Sequence, residues 1–437
     1  MKLIIKILFP IFVLVIMSCS TKKKLPASVF SLDQAIDTSK VLATGFSGVH
    51  ITDLNTSEVI FSRNASKYFV PASNTKIFTL FASLNYLRDS IPALKYVETD
   101  TSLTFWGTGD PTFMHSLFPA SATLDFLKSN SQSKKLFQSY GHANIKHFGE
   151  GWMWDDFNDY YQAEITTFPA YGNVLTIKKD STGIKGNPEY AMNRTIMTPQ
   201  TKIVKRSPEF NQFLLPALLD TIKTYYQEIP YKDAENVNRQ ILESLIGTKI
   251  NPINLPLPDD AETVYSIPTD TVLRRMMQVS DNMLAEQLLL LTGLTQNDTI
   301  SSELSIENVK TTLLKDLIDS PIWVDGSGLS KYNMMTPRSI TQLLKKMHQQ
   351  TDEQRLFSLM AIGGQNGSLR NMFKGNDGPY IFAKTGSLAA VYNLSGYMIT
   401  RSGRKLIFSF MNNNFSGSAT PVRKEVERVL NLVREHY

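Results

Sequence analysis

Three short stretches of this chain, Ser73-Asn74-Thr75-Lys76, Ser280-Asp281-Asn282 and Lys384-Thr385-Gly386, carry the groups that acyl transfer through a serine ester requires. A serine hydroxyl is a weak nucleophile. It needs a base, a proton relay and something to hold an anionic substrate. Lys76 lies three residues after Ser73, so on a helix the two side chains share a face. A buried lysine can lose its proton and act as the base. Ser280 supplies a relay, Asn282 an amide to hold substrate, and Lys384 a positive charge for a carboxylate. No histidine is called for. The six histidines, His50, His115, His142, His147, His348 and His436, form no H-E-x-x-H or other ligand set, and His142 with His147 reads as surface structure. Neither a metal nor a cofactor is expected, and no glycine-rich phosphate loop occurs.

The surroundings single these stretches out. S-x-x-K occurs four times, starting at Ser20, Ser73, Ser131 and Ser402. Only Ser73 follows a helix-start proline, Pro71, and precedes apolar residues at 77, 80, 81, 84 and 87, the stripe of a buried helix. Ser73 then falls in a first turn, where free backbone N–H groups favour developing negative charge. Taken alone, the stretch also fits a serine cap and a solvated lysine. S-x-N recurs at Ser62 and Ser83, but Ser280-Asp281-Asn282 interrupts two apolar helical runs. It reads as a loop facing Lys76 or as a helix junction capped by Ser280. K-T-G occurs once, in the run 380–388, followed by 391–399, a turn at 401–404, and 406–411. These are successive antiparallel strands. Lys384 and Thr385 are placed on an edge strand, with Gly386 allowing close approach of a substrate backbone.

Further stretches extend the pattern: Phe69-Val70-Pro71-Ala72 before Ser73, Trp106-Gly107-Thr108-Gly109-Asp110-Pro111-Thr112, Gly151-Trp152-Met153-Trp154-Asp155-Asp156, Asp325-Gly326-Ser327-Gly328-Leu329-Ser330, Met335-Thr336-Pro337-Arg338 and Gly367-Ser368-Leu369. With the three motifs, in this order, they resemble the S13 peptidases, the class C low-molecular-mass penicillin-binding proteins that are D-alanyl-D-alanine carboxypeptidases and endopeptidases. Three departures stand out. Lys331 replaces a more usual arginine, Ser368 a threonine, and the segment 168–173 is unlike the Asn-rich segment expected there. The last could alter substrate access. The resemblance implies an α+β fold, a β-lactamase/transpeptidase-like domain with an antiparallel sheet flanked by helices. Ser73 and Ser280 lie 207 positions apart, and Ser280 and Lys384 lie 104 apart. The first gap exceeds what such a domain needs, so a large, mainly β inserted region is expected at 95–258. The catalytic domain is then 32–94 plus 259–437.

Composition sets the remaining limits. The length of 437 residues exceeds one ordinary domain, and 42% hydrophobic residues suffice for a real core. A dispersed net charge of +5 gives no case for nucleic-acid binding. Lys2 and Lys6 precede an apolar run, 8–17, of signal-peptide length, too short for a confident membrane span. Ile16-Met17-Ser18-Cys19 resembles a lipobox, and Cys19 is the only cysteine, so no internal disulfide can form. Residues 1–19 are expected to be a lipoprotein signal ending at a lipidated Cys19. Residues 20–31, with Lys22-Lys23-Lys24 next to the lipid, are expected to tether the enzyme to a membrane in the bacterial cell envelope, facing the periplasm or cell wall.

The resemblance implies the roles. Ser73 attacks the carbonyl between two D-alanines of a peptidoglycan peptide, Lys76 takes its proton, and Ser280 relays a proton to the leaving amine. Asn282 binds the substrate backbone, Lys384 and Thr385 its terminal carboxylate, and the N–H groups of Ser73 and Ser387 form the oxyanion hole. β-Lactam antibiotics enter the same cycle as inhibitors. Two alternatives remain: a β-lactamase or esterase with the same nucleophile, and a wall-binding protein whose site has decayed.

Overall fold

The computed structural model describes residues 31–118, 122–296 and 299–437. The leader, Cys19 and the tether before Ser31 lie outside the described residues. β-Branched and aromatic runs broken by short turns form one antiparallel sheet: β1 (Phe46–Asp53), β2 (Val59–Arg63), β3 (Ala361–Ile362), β4 (Ile381–Leu388), β5 (Val391–Ile399) and β6 (Lys405–Asn413), in the order β3-β4-β5-β6-β1-β2. β4, β5 and β6 are the strands read from the sequence. β3 pairs with β4 only through Ala361–Ala383 and Ile362–Phe382. From Lys384 onward the outer edge of β4 therefore has no partner strand.

Helices cover both faces of this sheet, as the continuous burial of successive residues along β5 and β6 requires. On one side lie α1 (Lys76–Tyr86), α2 (Thr269–Val279), α3 (Asn282–Leu294) and α4 (Pro337–Gln350), where Ile77, Phe81, Leu288 and Ile340 pack with Tyr397, Ile407 and Met411. On the other, α5 (Ala419–His436) sets Val422, Val426 and Leu430 against Leu394, Phe408 and Phe410. The ends of these helices follow from local chemistry. The Thr336 hydroxyl accepts from Ser339 N at 3.2 Å, and Pro337 opens α4 where no N–H is needed. At the α2–α3 junction Ser280 is left-handed, with φ 68, and it is Asp281 that caps α3 by accepting from Leu284 N at 3.2 Å. The capping role considered for Ser280 belongs to its neighbour, which frees the Ser280 hydroxyl.

Between β2 and β3 the chain builds other sheets. One runs, in spatial order, through 250–253, 135–139, 102–107, 90–98 and 262–268; two three-stranded sheets lie within 174–230. Helices 122–131 and 234–246 accompany them. This region clasps the catalytic helices through polar bonds. Gln287 of α3 donates to the carbonyls of Gly109 (2.9 Å) and Thr166 (2.8 Å) and accepts from Thr166 N (3.1 Å). The Trp152 indole donates to Asp325 Oδ2 at 3.0 Å.

The segment before the nucleophile is tied to the sheet by asparagines. Asn393 of β5 donates to the carbonyls of Val70 (2.9 Å) and Pro71 (2.8 Å) and accepts from Asn412 N (3.0 Å), and Val70 N donates to Asn413 Oδ1 at 2.7 Å. Asn393→Ala is expected to strand these buried groups, lowering stability by about 1–3 kcal/mol and slowing acylation by a penicillin. Denaturant unfolding and acylation kinetics measure the two effects; an unchanged unfolding midpoint would contradict this account of the turn.

Candidate active site

Ser73 sits in a 3-10 turn, Ala72–Thr75, that leads directly into α1. Ala72 is left-handed, with φ 48, a conformation an alanine holds only when its surroundings impose it. Two glycines do so from opposite sides. A Cβ on Gly328, itself at φ +81, would lie 1.9 Å from Ala72 O, and a Cβ on Gly386 would lie 2.5 Å from Pro71 O and 3.2 Å from Ser73 N. The expectation that Gly386 makes room for substrate is thereby changed. What needs the missing side chain is the nucleophile turn, which β4 approaches too closely for any Cβ.

The expected catalytic residues meet in two groups. In the first, Lys76 is fully buried and donates to Ser73 Oγ (3.2 Å), Asn282 Oδ1 (2.7 Å) and the Ser327 carbonyl (2.7 Å). Burial pushes its ammonium down to about 8, against an upward pull from the carboxylates of Glu286, Asp325 and Asp281. Among the described residues Lys76 forms no ion pair, and its three acceptors are neutral oxygens. In the second group, Lys384 is also fully buried and donates to Ser280 Oγ (2.8 Å) and the Thr385 carbonyl (2.7 Å). Burial, and then the charge of Lys76, hold it well below the usual lysine range. No hydrogen bond joins the groups; Ser73, Ser280, Asn282 and Ser387 line one cleft of about 470 Å³. The sequence reading sent Lys384 into that cleft to meet a carboxylate; in the structure its amine ends on Ser280 instead. The hydroxyl of half-buried Thr385 is the exposed end of this motif, donating to Ser368 Oγ at 2.8 Å.

Met153, Asp156 and Tyr161 of the inserted region form the wall of the cleft that also carries Lys331. Tyr161 also fixes Asn282, whose amide donates to its carbonyl at 3.2 Å. One functional residue was missed in the sequence. Glu286 of α3 is buried and accepts from Gly326 N (2.9 Å) and Ser327 N (2.8 Å), holding in place the carbonyl that receives Lys76. Burial, with Asp325 beside it, pushes its carboxyl up to about 8. The signal was Glu286-Gln287 standing inside the apolar run 283–290.

A serine in the turn before a helix, bonded by a buried lysine and set beside the unpaired part of an antiparallel strand, is an arrangement suited to serine acyl transfer. A profile described as the D-Ala-D-Ala carboxypeptidase 3 (S13) family matches residues 29–208 and 258–433, and the chain belongs to that family. The D-alanyl-D-alanine carboxypeptidase DacB of Haemophilus influenzae is 24% identical over 444 residues, covering 88% of this chain and 90% of the relative. The D-alanyl-D-alanine carboxypeptidase of Actinomadura sp. (strain R39) is 25% identical over 438 residues, covering 88% and 81%. Among solved structures, penicillin binding protein 4 (dacB) from Haemophilus influenzae superposes with a TM-score of 0.76 at 20% identity, covering 93% of this chain and all of that one. The likeness establishes the fold, an α+β arrangement as the sequence implied.

Asn282→Ala removes the 2.7 Å acceptor of Lys76 and is expected to slow acylation by a penicillin about a hundred-fold with little change in melting temperature. Stopped-flow acylation alongside thermal unfolding checks it. Acylation at the wild-type rate would show that Asn282 does not position the lysine.

Proposed function

We infer that this chain is a serine-type D-Ala-D-Ala carboxypeptidase or endopeptidase acting on peptidoglycan peptides through an acyl-enzyme. The observation that carries this reading is the Lys76 amine, buried between Ser73 Oγ, Asn282 Oδ1 and the Ser327 carbonyl and pushed down to about 8. Near neutral pH a useful fraction is uncharged and accepts the Ser73 proton as Oγ attacks the D-alanyl carbonyl. The N–H groups of Ser73 and Ser387 receive the oxyanion. Lys384 donates to Ser280 Oγ, so the Ser280 hydrogen is directed away from it and is available for the leaving amine. Asn282 holds the substrate backbone, and Thr385 with Ser368 meets the terminal carboxylate. Water then hydrolyses the ester. A penicillin follows the same path and is retained as an ester on Ser73; the Haemophilus influenzae relative has also been solved in complex with a β-lactam.

The inserted region, placed at 95–258 from the sequence, is taken to shape access to the cleft. Among the described residues no helix is long and apolar enough to cross a membrane. Attachment is assigned to a lipid on Cys19, supported by the lipobox-like 16–19 and the three lysines after it.

Intact-mass spectrometry after exposure to a penicillin is expected to show one adduct on the wild type and none on Ser73→Ala. A Ser73→Ala adduct would remove the nucleophile assignment, and consumption of the penicillin without an adduct would favour a β-lactamase. In bacteria expressing the chain with its leader, Cys19→Ser is expected to move the protein from the membrane to the soluble fraction. Retention of the variant at the membrane would rule out the Cys19 anchor.

A further inference from the structure

Val279, the last residue of α2, lines the catalytic cleft and also a second groove of about 510 Å³. This groove lies between the 367–372 segment and the first turns of α5. Its charged lining is Arg370, Arg423, Lys424 and one carboxylate, Glu427, which is already taken by Phe373 N–H. Arg370 and Lys424 are exposed and form no ion pair among the described residues. Three surface arginines elsewhere are matched, Arg355 with Asp270, Arg404 with Asp53 and Arg428 with Glu425, whereas exposed Arg88, Arg194 and Arg274 form no ion pair among the described residues and stand apart from one another in the sequence. The groove thus holds positive charge that the protein itself does not neutralise.

Two hydrogen bonds join it to β4. Thr385 Oγ1 donates to Ser368 Oγ at 2.8 Å, and Arg423 Nη2 donates to Ser387 Oγ at 3.3 Å. Ser387 belongs to the unpaired part of β4, and Ser368 stands beside it. Thr385 is the group assigned to the carboxylate of the departing residue, so the groove begins where the leaving half of the substrate emerges.

We propose that the groove is a leaving-side subsite for an acidic peptide, one with a carboxylate of its own beyond the one met by Thr385. The proposal rests on the peptidase reading of the cleft. A single departing D-alanine ends at Thr385 and leaves the groove empty. A cross-linked substrate, whose departing half is itself a peptide with free carboxylates, fills it. The groove therefore favours cutting cross-links over trimming termini.

The test uses the full chain and the double variants Arg370→Ala/Lys424→Ala and Arg370→Glu/Lys424→Glu, residues that touch none of the catalytic groups. Penicillin acylation and hydrolysis of a short peptide ending in D-Ala-D-Ala are expected to stay within about two-fold of wild type. For a cross-linked muropeptide dimer with free acceptor carboxylates, kcat/KM is expected to fall roughly five- to ten-fold in the alanine variant and further in the glutamate variant. Added salt should narrow the gap by screening the wild type. Equal dimer cleavage by all three proteins would overturn the subsite, as would a wild type that cuts the short peptide and not the dimer. A wild type that neither acylates nor cuts the short peptide would instead overturn the peptidase reading, and the subsite with it.

Discussion

A lysine amine sealed from water and paired with no carboxylate must place its hydrogens on neutral oxygens, and the arrangement around Lys76 answers to that requirement. Its three acceptors come from distant parts of the chain: Ser73 Oγ, Asn282 Oδ1 and the Ser327 carbonyl. Each needs its own support. Ser73 is held by a turn wedged between Gly328 and Gly386. Asn282 is held by the Tyr161 carbonyl, and Ser327 by the Glu286 carboxylate. Desolvation is the largest influence on Lys76, so anything that admits water or adds a nearby negative charge leaves less of it uncharged. Lys384 is a second buried amine in the same site, and the two repel one another's charge. Burial first, and then that repulsion, keep Lys384 low, and its amine donates to Ser280 Oγ.

The inserted region belongs to this arrangement. Trp152 bonds Asp325, Gln287 bonds Gly109 and Thr166, and Tyr161 bonds Asn282. Segments from the insertion therefore hold the helix that carries Asn282 and Glu286, besides supplying a wall of the cleft. Tyr161 does both, lining the cleft and accepting from the Asn282 amide. This gives a physical reason for a small catalytic sheet to carry so large an addition.

Much of this was legible in the sequence where local chemistry decides the outcome. The strands at 381–413 show apolar runs joined by short turns, and α1 shows its stripe, although Pro71 opens the 3-10 turn before it and not the helix itself. The three motifs could be ranked by their surroundings, and the S13 resemblance carried the order of the remaining stretches. What escaped depends on contacts between residues far apart in the chain. Nothing near Gly386 reveals that Pro71 lies against it, and nothing near Lys384 reveals that its amine ends on Ser280 and not in the cleft. Glu286 was visible as an acid within an apolar helix run, yet its partners, the N–H groups of Gly326 and Ser327, lie some forty positions away. The cap on α3 fell to Asp281 because Ser280, in a left-handed conformation, aims its hydroxyl toward Lys384.

The claim on which all of this stands is that Lys76 acts as a neutral base, and the pH dependence of penicillin acylation tests it most directly. With Lys76 held near 8, its uncharged form grows as pH rises. The second-order acylation rate is expected to climb with loss of one proton, with a midpoint near that value, and to level off above it. A rate that is flat or falling between about pH 7 and 9 would contradict the assignment of Lys76 as the base.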